Sequence, residues 1–358
     1  MTRPDPAELL TRLVRTPSPS GDEGAAAAVL ADWARAHGLA TEVDDAAVRI
    51  TVGGRRPGPT LLLASHIDTV PPGDGWTVPP YDAVVAHGRL TGRGAVDAKA
   101  SVAAMTAAAA ELAAEGGPRT GRLVVLATYS EETRDTTMPE ALGRLGGPPD
   151  AAIVGEPTSL QPCVAQRGQL LLELVWRGEQ VHAGWAAGRV PPPANAIRLA
   201  ARDLAAVDGL VLDRLHPLLG AVAVTPTLIS GGVARNVTPP SCTAMLDIRT
   251  TPAYEHAEIT AAVRELVAGE VEVYSDRLVP AETPAGSRLL RAILAVRPDA
   301  VPFASPTCSD WVFLRHLDAV KLGPGDSRRS HTSDEWIELD ELSEGAALYG
   351  AVAREVLR

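Results

Sequence analysis

Hydrophobic and polar positions along the chain follow two different periods. Helical spacing occurs in "DPAELLTRLVR", in "GDEGAAAAVLADWARAHG" and in the alanine-rich "AKASVAAMTAAAAELAAEGG". Between these segments lie short, continuous apolar runs, "TLLLASHIDT", "RLVVLATYS" and "DAAIVGE". Runs of this kind are typical of strands that are buried on both faces. Because such strands alternate with helices, the sequence predicts an α/β fold with a mostly parallel sheet.

The pattern changes in the middle of the chain. "QLLLELVWRGEQVHAG" alternates as an antiparallel strand does, and "NAIRLAARDLAAV" has helical spacing. "TAMLDIRTT", a helix near residues 257–266 and "VEVYS" complete a β-α-β-β-α-β series, the split αβ pattern. From about Pro284 the first pattern returns. The sequence therefore predicts one domain of residues 1–167 and 279–358, interrupted by an inserted α+β domain of residues 168–278.

Composition and charge narrow the class of protein. The chain has 358 residues, of which 46% are hydrophobic but only 4% aromatic, so the core must consist mainly of Ala, Val and Leu. The net charge of −11, without any basic stripe, argues against nucleic acid or an anionic membrane as partner. The chain has no apolar signal segment and no run of about 18 apolar residues. Its three cysteines have no paired spacing. We therefore expect a cytoplasmic protein.

Polar side chains follow the buried apolar runs at the point where each run ends. His66 and Asp68 end one run and, two positions apart in a strand, point to the same side. Ligands of open parallel sheets bind outside the carboxyl ends of the strands. So many carboxylates in one place require a cation, and a set without thiolates suits zinc, cobalt or manganese. The residues of this group are His66, Asp68, Asp97, Glu131, Glu132, Glu156 and His331.

Each of these residues also has an ordinary structural interpretation. A single histidine at a strand end is usually a satisfied core or surface residue, and this applies to His66 taken alone. Adjacent Glu131 and Glu132 resemble a solvated step from strand to loop, and Glu156 before Pro157 resembles ordinary loop chemistry. The repetition of such residues at successive strand ends is what favours a metal site.

Five sequence blocks together resemble the M20 family of metallo-aminoacylases and peptidases. They are "SHIDTVPPGDGW", "GRGAVDAKAS", "YSEET", "VGEPT" and "GPGDSRRSHTSDEWI", in the order and approximate spacing of that family. The segment "LVRTPSPSGDE" resembles the N-terminal segment of the family, so the resemblance covers nearly the whole chain. It implies a zinc-peptidase-like catalytic domain and an inserted domain that serves as a dimerisation surface or lid.

The resemblance also implies roles for the clustered residues. Asp97 would bridge two divalent metal ions, most suitably zinc, with cobalt or manganese as alternatives. His66 and Glu156 would complete the shell of one ion, and Glu132 and His331 that of the other.

Further roles follow from the same resemblance. Asp68 would orient the ring of His66, and Glu131 would be the general base that activates a water. His182 would be supplied to the active site of a partner subunit, which implies a homodimer. Taken alone, His182 reads as a surface residue of a strand-to-helix turn.

Substrate contacts are expected from two further segments. "GGVARNVTPPSCTAMLDIRTTP" resembles the segment of the family that carries Asn236 and Arg249. Arg249 would clamp a substrate carboxylate, or else form a salt bridge with Asp247 or Glu173. "SPTCSDWVF" resembles a pocket segment, with Cys308 at the position where the family has threonine, followed by Ser309.

The function implied by the resemblance is hydrolysis of the amide bond of an N-acyl amino acid, of ornithine, lysine or diaminopimelate type. "VDAK" and "PTCSD" look closest to the branch that acts on acetylated or carrier-protein-linked lysine or ornithine. Desuccinylase, dipeptidase and carboxypeptidase activities remain open alternatives. An alternative of another class is a metal-free member that only binds, against which the complete set of seven site residues argues.

Overall fold

The computed structural model describes residues 4–133 and 136–358. The chain divides into two compact units, one made of Met1–Val164, Glu282–Phe303 and Ser309–Arg358 and the other of Ala165–Ala281 and Ala304–Cys308. The sequence predicts borders between the domains at 167/168 and 278/279, whereas the structure has them at 164/165 and 281/282. Ala304–Cys308 belongs to the second unit because it pairs with Arg167. The N–H of Arg167 donates to the carbonyl of Ser305 at 3.2 Å, and Cys308 Sγ donates to the carbonyl of Arg167 at 3.1 Å.

The helices and strands alternate through most of the first unit. The helices are α1 (Pro6–Val14), α2 (Gly24–Ala36), α3 (Lys99–Ala114), α4 (Met138–Gly143), α5 (Ala183–Ala186), α6 (Ala196–Val207), α7 (His256–Leu266), α8 (Arg288–Val296) and α9 (Leu339–Val356). Short 3₁₀ helices span Asp310–Leu314 and Ser327–Arg329. The strands are β1 (Ala40–Val43), β2 (Ala47–Gly53), β3 (Thr60–His66), β4 (Val84–Ala86), β5 (Arg89–Thr91), β6 (Arg122–Thr128), β7 (Ala151–Val154), β8 (Cys163–Gln166), β9 (Gly168–Arg177), β10 (Ala223–Gly231), β11 (Ser241–Thr250), β12 (Glu270–Leu278), β13 (Ala281–Glu282), β14 (Phe303–Ser305), β15 (Asp318–Lys321) and β16 (Trp336–Glu338).

A central sheet with the strand order β1-β2-β6-β3-β7-β15-β8-β13 organises the first unit, and β14 pairs with β8. The inner strands β6, β3, β7 and β15 are parallel to their neighbours in this group, whereas β2 joins β6 and β1 joins β2 antiparallel. The prediction of an α/β fold with a mostly parallel sheet is therefore confirmed. The small sheet β16-β5-β4 was not foreseen, because its three-residue strands are too short to have a period.

Helix α3 lies in the interior of the first unit. Residues 99–110 are all buried, and the helix packs against α1, α9 and strands β3 and β6. Alanines make up most of the helix, so neighbouring elements can approach it closely. A helix without a polar face is a core helix rather than a surface helix. The prediction that this low-aromatic core depends on Ala, Val and Leu agrees with the residues that are buried there.

The second unit is an antiparallel sheet with helices packed against it. The strand order is β10-β11-β9-β12, and inward residues alternate with half-exposed ones along β9 and β11. Helices α6 and α7 pack on this sheet over a core that includes Leu172, Trp176 and Ile248. The order of elements is the β-α-β-β-α-β series expected from the sequence.

A helix that crosses a bilayer needs about 20 mostly apolar residues. Within residues 4–133 and 136–358, the structure contains no helix that combines the length and the apolar character required to cross a membrane.

Candidate metal centre

The carboxyl ends of the inner parallel strands meet at one edge of the central sheet. His66, the last residue of β3, is in register with Thr128 at the end of β6, and Ala64 is in register with Val154 at the end of β7. The segments that follow these strands carry Glu131, Glu132 and Glu156. Because the strands are parallel and in register, side chains distant in sequence converge there.

Asp97 lies at the centre of the converging side chains. Its Oδ1 is 3.3 Å from Nε2 of His66, and its Oδ2 is 3.4 Å from Nε2 of His331. Oε1 of Glu132 is 2.9 Å from the same nitrogen of His331, and Oε1 of Glu156 is 4.0 Å from Nε2 of His66. Each oxygen of Asp97 therefore faces one imidazole, with one further carboxylate beside each ring.

Local backbone geometry brings these residues close together. Gly155 precedes Glu156 where the chain approaches α3, and a Cβ there would lie 2.5 Å from Met105 Cε and 2.9 Å from Ser101 Cβ. Only glycine fits this approach. The peptide bond between Asp97 and Ala98 is cis.

A fully buried carboxylate holds the loop that carries Asp97. Glu335 Oε1 accepts hydrogen bonds from the backbone N–H of Val96 at 2.7 Å and of Asp97 at 3.0 Å. Its Oε2 accepts from Gly94 at 3.2 Å and from the guanidinium of Arg93, which is also buried. Four donors on one carboxylate fix both the backbone and the direction of Asp97.

Asp68 contacts both the ring of His66 and the turn that carries Glu131 and Glu132. Its Oδ1 lies 3.2 Å from Nδ1 of His66, so the other ring nitrogen of His66 is turned toward Asp97. The same carboxylate accepts from the backbone N–H groups of Glu131 and Glu132, both at 3.1 Å. Asp68 therefore orients an imidazole and also holds the turn that carries the adjacent pair of glutamates.

The pKa values in the cluster reflect an excess of negative charge. Burial raises the pKa of Glu156 to about 8, and the nearby carboxylate of Asp97 adds to this effect. Burial also raises the pKa of Glu131 well above its usual range. Burial alone would lower the pKa of His66, but hydrogen bonds with Asp68 and Asp97 outweigh it and raise this pKa. Hydrogen bonds with Asp97 and Glu132 raise the pKa of His331 to about 10.

These shifts indicate that the cluster requires positive charge, which either bound protons or metal ions can supply. His66, Asp97 and Glu132 each offer one ligand atom, and these atoms lie within 4.8 Å of one another. Imidazoles and carboxylates without a thiolate form a donor set that suits zinc, cobalt or manganese. The residues present therefore fit divalent metal ions.

The residues predicted to contact substrate are divided between the units. His182 is exposed in the second unit, where it begins α5, and the N–H of Ala183 donates to the carbonyl of Asn236 at 2.8 Å. The structure thus brings His182 and Asn236 together. Ser309 lies in the first unit, where its hydroxyl accepts from the N–H of Trp311, while Cys308 belongs to the second.

Arg249 makes the salt bridge that the sequence offered as the alternative to a substrate clamp. Its Nε lies 2.8 Å from Oδ1 of Asp247, and its Nη2 lies 3.0 Å from Oδ2. Gln169 Nε2 also donates to Asp247 Oδ2 at 2.8 Å. The two nitrogens of Arg249 that face Asp247, Nε and Nη2, are therefore occupied by this ion pair within the second unit.

Several residues beside the site were not singled out from the sequence. Glu335 and Asp310 lie within blocks that the resemblance quotes, but acidic residues in a polar loop have no distinguishing pattern. Lys99 is buried in α3, where its Nζ donates to the carbonyls of Leu13 and Thr16 at 2.8 and 2.9 Å. Burial lowers the pKa of Lys99 to about 7.

The model of peptidase family M20/M25/M40 matches residues 62–355 of the chain. The chain belongs to this family. It is a metal-dependent hydrolase of amide bonds. The chain is 31% identical to a succinyl-diaminopimelate desuccinylase of Novosphingobium aromaticivorans over 383 aligned residues, which cover 100% of both chains. It is also 31% identical to a desuccinylase of Rhizorhabdus wittichii over 99% of this chain and 98% of the other.

Solved structures of other hydrolases share the fold of this chain. Aminopeptidase PepT from Bacillus cereus superposes with a TM-score of 0.82 at 20% identity and covers 100% of both chains. The YXEP protein of Bacillus subtilis, described as a dinuclear metal-binding peptidase of the M20 family, superposes with a TM-score of 0.77 at 16% identity, over 98% of this chain and 97% of the other.

Removing the carboxylate of Glu335 should destabilise this M20 hydrolase strongly. We expect Glu335→Ala to lower the free energy of unfolding by about 3–5 kcal/mol, because it leaves a buried Arg93 charge and several N–H groups without their partner. Glu115→Ala, which breaks a half-exposed ion pair with Arg354, should cost about 1 kcal/mol or less. Urea unfolding followed by circular dichroism measures both. Equal effects of the two substitutions would contradict the role of Glu335.

Proposed function

We propose that this M20 hydrolase removes the acyl group from an N-acyl amino acid of ornithine, lysine or diaminopimelate type. The observation that carries this proposal is the arrangement of Asp97, each of whose carboxylate oxygens faces a different imidazole. A carboxylate placed in this way suits a bridge between two ions. Its full-length relatives are named succinyl-diaminopimelate desuccinylases, which favours an amino acid as the part of the substrate that leaves.

Two divalent ions, most suitably zinc, would be held by five residues of the first unit. His66 and Glu156 would bind one ion, Glu132 and His331 the other, and Asp97 both. When bound, the ions would acidify a water molecule and polarise the scissile carbonyl.

Glu131 is the residue we propose as general base. Its carboxylate takes a proton from the attacking water as the new C–O bond forms, and later gives that proton to the amine nitrogen as the C–N bond breaks. The neighbouring Glu132 has a different task, because side chains of adjacent residues diverge and Glu132 turns to His331. Asp68 holds the backbone of both residues.

His182 is suited to stabilise the oxyanion that develops on the substrate carbonyl. Its Nδ1 accepts a hydrogen bond from the N–H of Gly184 at 3.1 Å. In the neutral ring the proton must then sit on Nε2, which makes this exposed nitrogen a hydrogen-bond donor. Such a donor would form a hydrogen bond with the oxyanion and stabilise it. Asn236, Arg249, Cys308 and Ser309 stay predictions as contacts of the substrate.

A hydrolysis screen tests the substrate class. The zinc- or cobalt-loaded enzyme is incubated with N-acetyl, N-succinyl and glutamyl derivatives of ornithine, lysine, arginine and diaminopimelate, and with dipeptides, and the released amine is measured. A carrier-protein-linked acetyl-lysine is added as a separate substrate, because the sequence resembles that branch. We expect N-acyl amino acids to be cleaved with a higher kcat/KM than dipeptides. The opposite preference would favour a peptidase instead.

Replacing each member of the adjacent pair should separate their roles. Glu131→Gln should lower kcat by about 10²–10⁴-fold and keep two ions per chain, because it removes a proton acceptor but no ligand. Glu132→Gln should lose metal, since it removes a ligand. Elemental analysis and steady-state kinetics of both variants provide the measurement. Metal loss in Glu131→Gln but not in Glu132→Gln would reverse the assignment, and full activity with a firm stoichiometry of one ion would contradict the dinuclear mechanism.

We also propose that the second unit forms a homodimer through strand β10. This strand is at an edge of its sheet, and its residues are exposed on both faces, including Leu228 (69% exposed) and Ile229 (61%). Apolar, unpaired edge strands are usually covered in native proteins. A second copy related by a two-fold axis would present the same edge, so that each copy would cover Leu228 and Ile229 of the other.

Mixing two inactive variants tests whether His182 serves the partner subunit. Glu131→Gln chains and His182→Ala chains, combined in equal amounts, should recover about a quarter of wild-type activity. Half of the randomly formed dimers are mixed, and one of the two sites in each mixed dimer has both residues intact. Subunit exchange is verified with differently tagged chains. Exchange without recovered activity would mean that His182 acts within its own chain or has no part in catalysis.

A further inference from the structure

Three consecutive N–H groups of the turn that carries the adjacent glutamates donate to carboxylates. The N–H of Ser130 donates to Oε1 of Glu23 at 3.0 Å. The N–H groups of the next two residues, Glu131 and Glu132, donate to the two oxygens of Asp68. Three consecutive backbone donors thus end on two acidic side chains, and one of these, Glu23, belongs to the N-terminal segment of the first unit.

Ser130 has an unusual backbone conformation. Its φ angle is +57°, in the left-handed region that residues with a Cβ rarely adopt. Its hydroxyl donates a second hydrogen bond to Oε1 of Glu23 at 3.1 Å. Such a conformation persists only where the surroundings hold it in place. The N–H and the hydroxyl of Ser130 therefore donate to the same oxygen, Oε1 of Glu23.

Glu23 is itself fixed to the strand that ends in the metal centre. Its Oε1 also accepts the N–H of Gly21 at 2.8 Å, and its side chain is buried. The hydroxyl of Ser18 donates to the carbonyl of Ile67 at 2.7 Å, and that of Ser20 donates to Oδ2 of Asp68 at 2.7 Å. The segment from Ser18 to Glu23 therefore lies against the end of β3, and a displacement of Glu23 would displace Ser130.

We propose that Glu23 is a positioning residue for the general base. It holds Ser130 in the left-handed conformation and thereby sets the direction in which Glu131 leaves the turn. The inference rests on the proposed role of Glu131 as proton acceptor. The alternative is that Glu23 only stabilises the start of α2, in which case its loss would lower stability without altering the turn or the chemical step.

The two interpretations differ in their kinetic consequences. If Glu23 aims the general base, Glu23→Ala should lower kcat by about 10–100-fold, since displacements on the order of 1 Å have effects of this size. KM should stay within about threefold, because neither Glu23 nor Glu131 needs to bind the substrate in its ground state. Hydrogen exchange in a peptide covering Ser130–Glu132 should become faster in the same variant.

A second substitution provides a specific rescue. Glycine adopts positive φ without steric cost, so Ser130→Gly should reduce the dependence of the turn on Glu23. We expect Glu23→Ala/Ser130→Gly to have a kcat at least threefold higher than Glu23→Ala. A purely stabilising role of Glu23 predicts no such recovery, because glycine at position 130 adds no contact to α2.

Asp318→Ala serves as the matched control. Like Glu23, Asp318 accepts three hydrogen bonds, from the hydroxyl of Ser287 and the N–H groups of Arg288 and Leu289, but it lies where β15 begins, away from the strand ends that carry the site. It should lower the melting temperature as Glu23→Ala does and leave kcat unchanged.

The kinetic measurements use whichever amide the screen identifies, and hydrogen exchange needs no substrate. Unaltered exchange in the Ser130–Glu132 peptide of Glu23→Ala would therefore overturn the inference even if the substrate class is other than proposed. Faster exchange with unchanged kcat, or a double variant no more active than Glu23→Ala, would overturn it as well. A failure of the proposed function appears separately, as retained activity in Glu131→Gln.

Discussion

The concentration of negative charge at one edge of a parallel sheet is the constraint on which the rest of the structure depends. Parallel strands in register bring His66 and the carboxylates of Glu132 and Glu156 to the position of Asp97, at a site that is largely removed from water. Such a group is unfavourable unless cations compensate it. In the protein alone the compensation takes the form of histidines with raised pKa values and a glutamate, Glu156, whose pKa is about 8. Divalent ions satisfy the same requirement, and their charges do not change with pH as those of titrating side chains do.

A second group of carboxylates accepts hydrogen bonds from the backbone and keeps the first group in place. Glu335 accepts hydrogen bonds from the N–H groups of Val96 and Asp97. Asp68 accepts those of Glu131 and Glu132. Buried N–H groups must be satisfied, and an ionised acceptor forms stronger hydrogen bonds than a neutral one. The acidic residues of the site thus form two groups: some face the imidazoles, and others accept hydrogen bonds from the backbone behind them.

Much of the fold and of the inner site was predictable from the sequence, because both depend on patterns that are local. Continuous apolar runs mark the inner strands, and the polar residue that ends each run, as His66 does, must lie at the sheet edge. The holding residues could not be found in this way. Glu23 and Glu335 act through backbone N–H groups that lie 107 and 238 or more positions away in sequence, and no local pattern records such pairings. Arg249 is a different case, because a substrate carboxylate, Asp247 and Glu173 were all plausible partners from the sequence, and the structure pairs it with Asp247, only two positions away.

The second unit illustrates how local backbone structure determines the chemistry that a side chain can perform. His182 begins a four-residue helix, and the N–H of Gly184 in that helix occupies Nδ1 of the ring. The neutral imidazole is then left with its proton on Nε2, whichever subunit it serves. Such a donor differs from the ionised carboxylates of the first unit, which only accept hydrogen bonds. An oxyanion needs donors, and a cluster of carboxylates offers none. Under the proposed mechanism, a donor such as Nε2 of His182 would supply what the carboxylates lack.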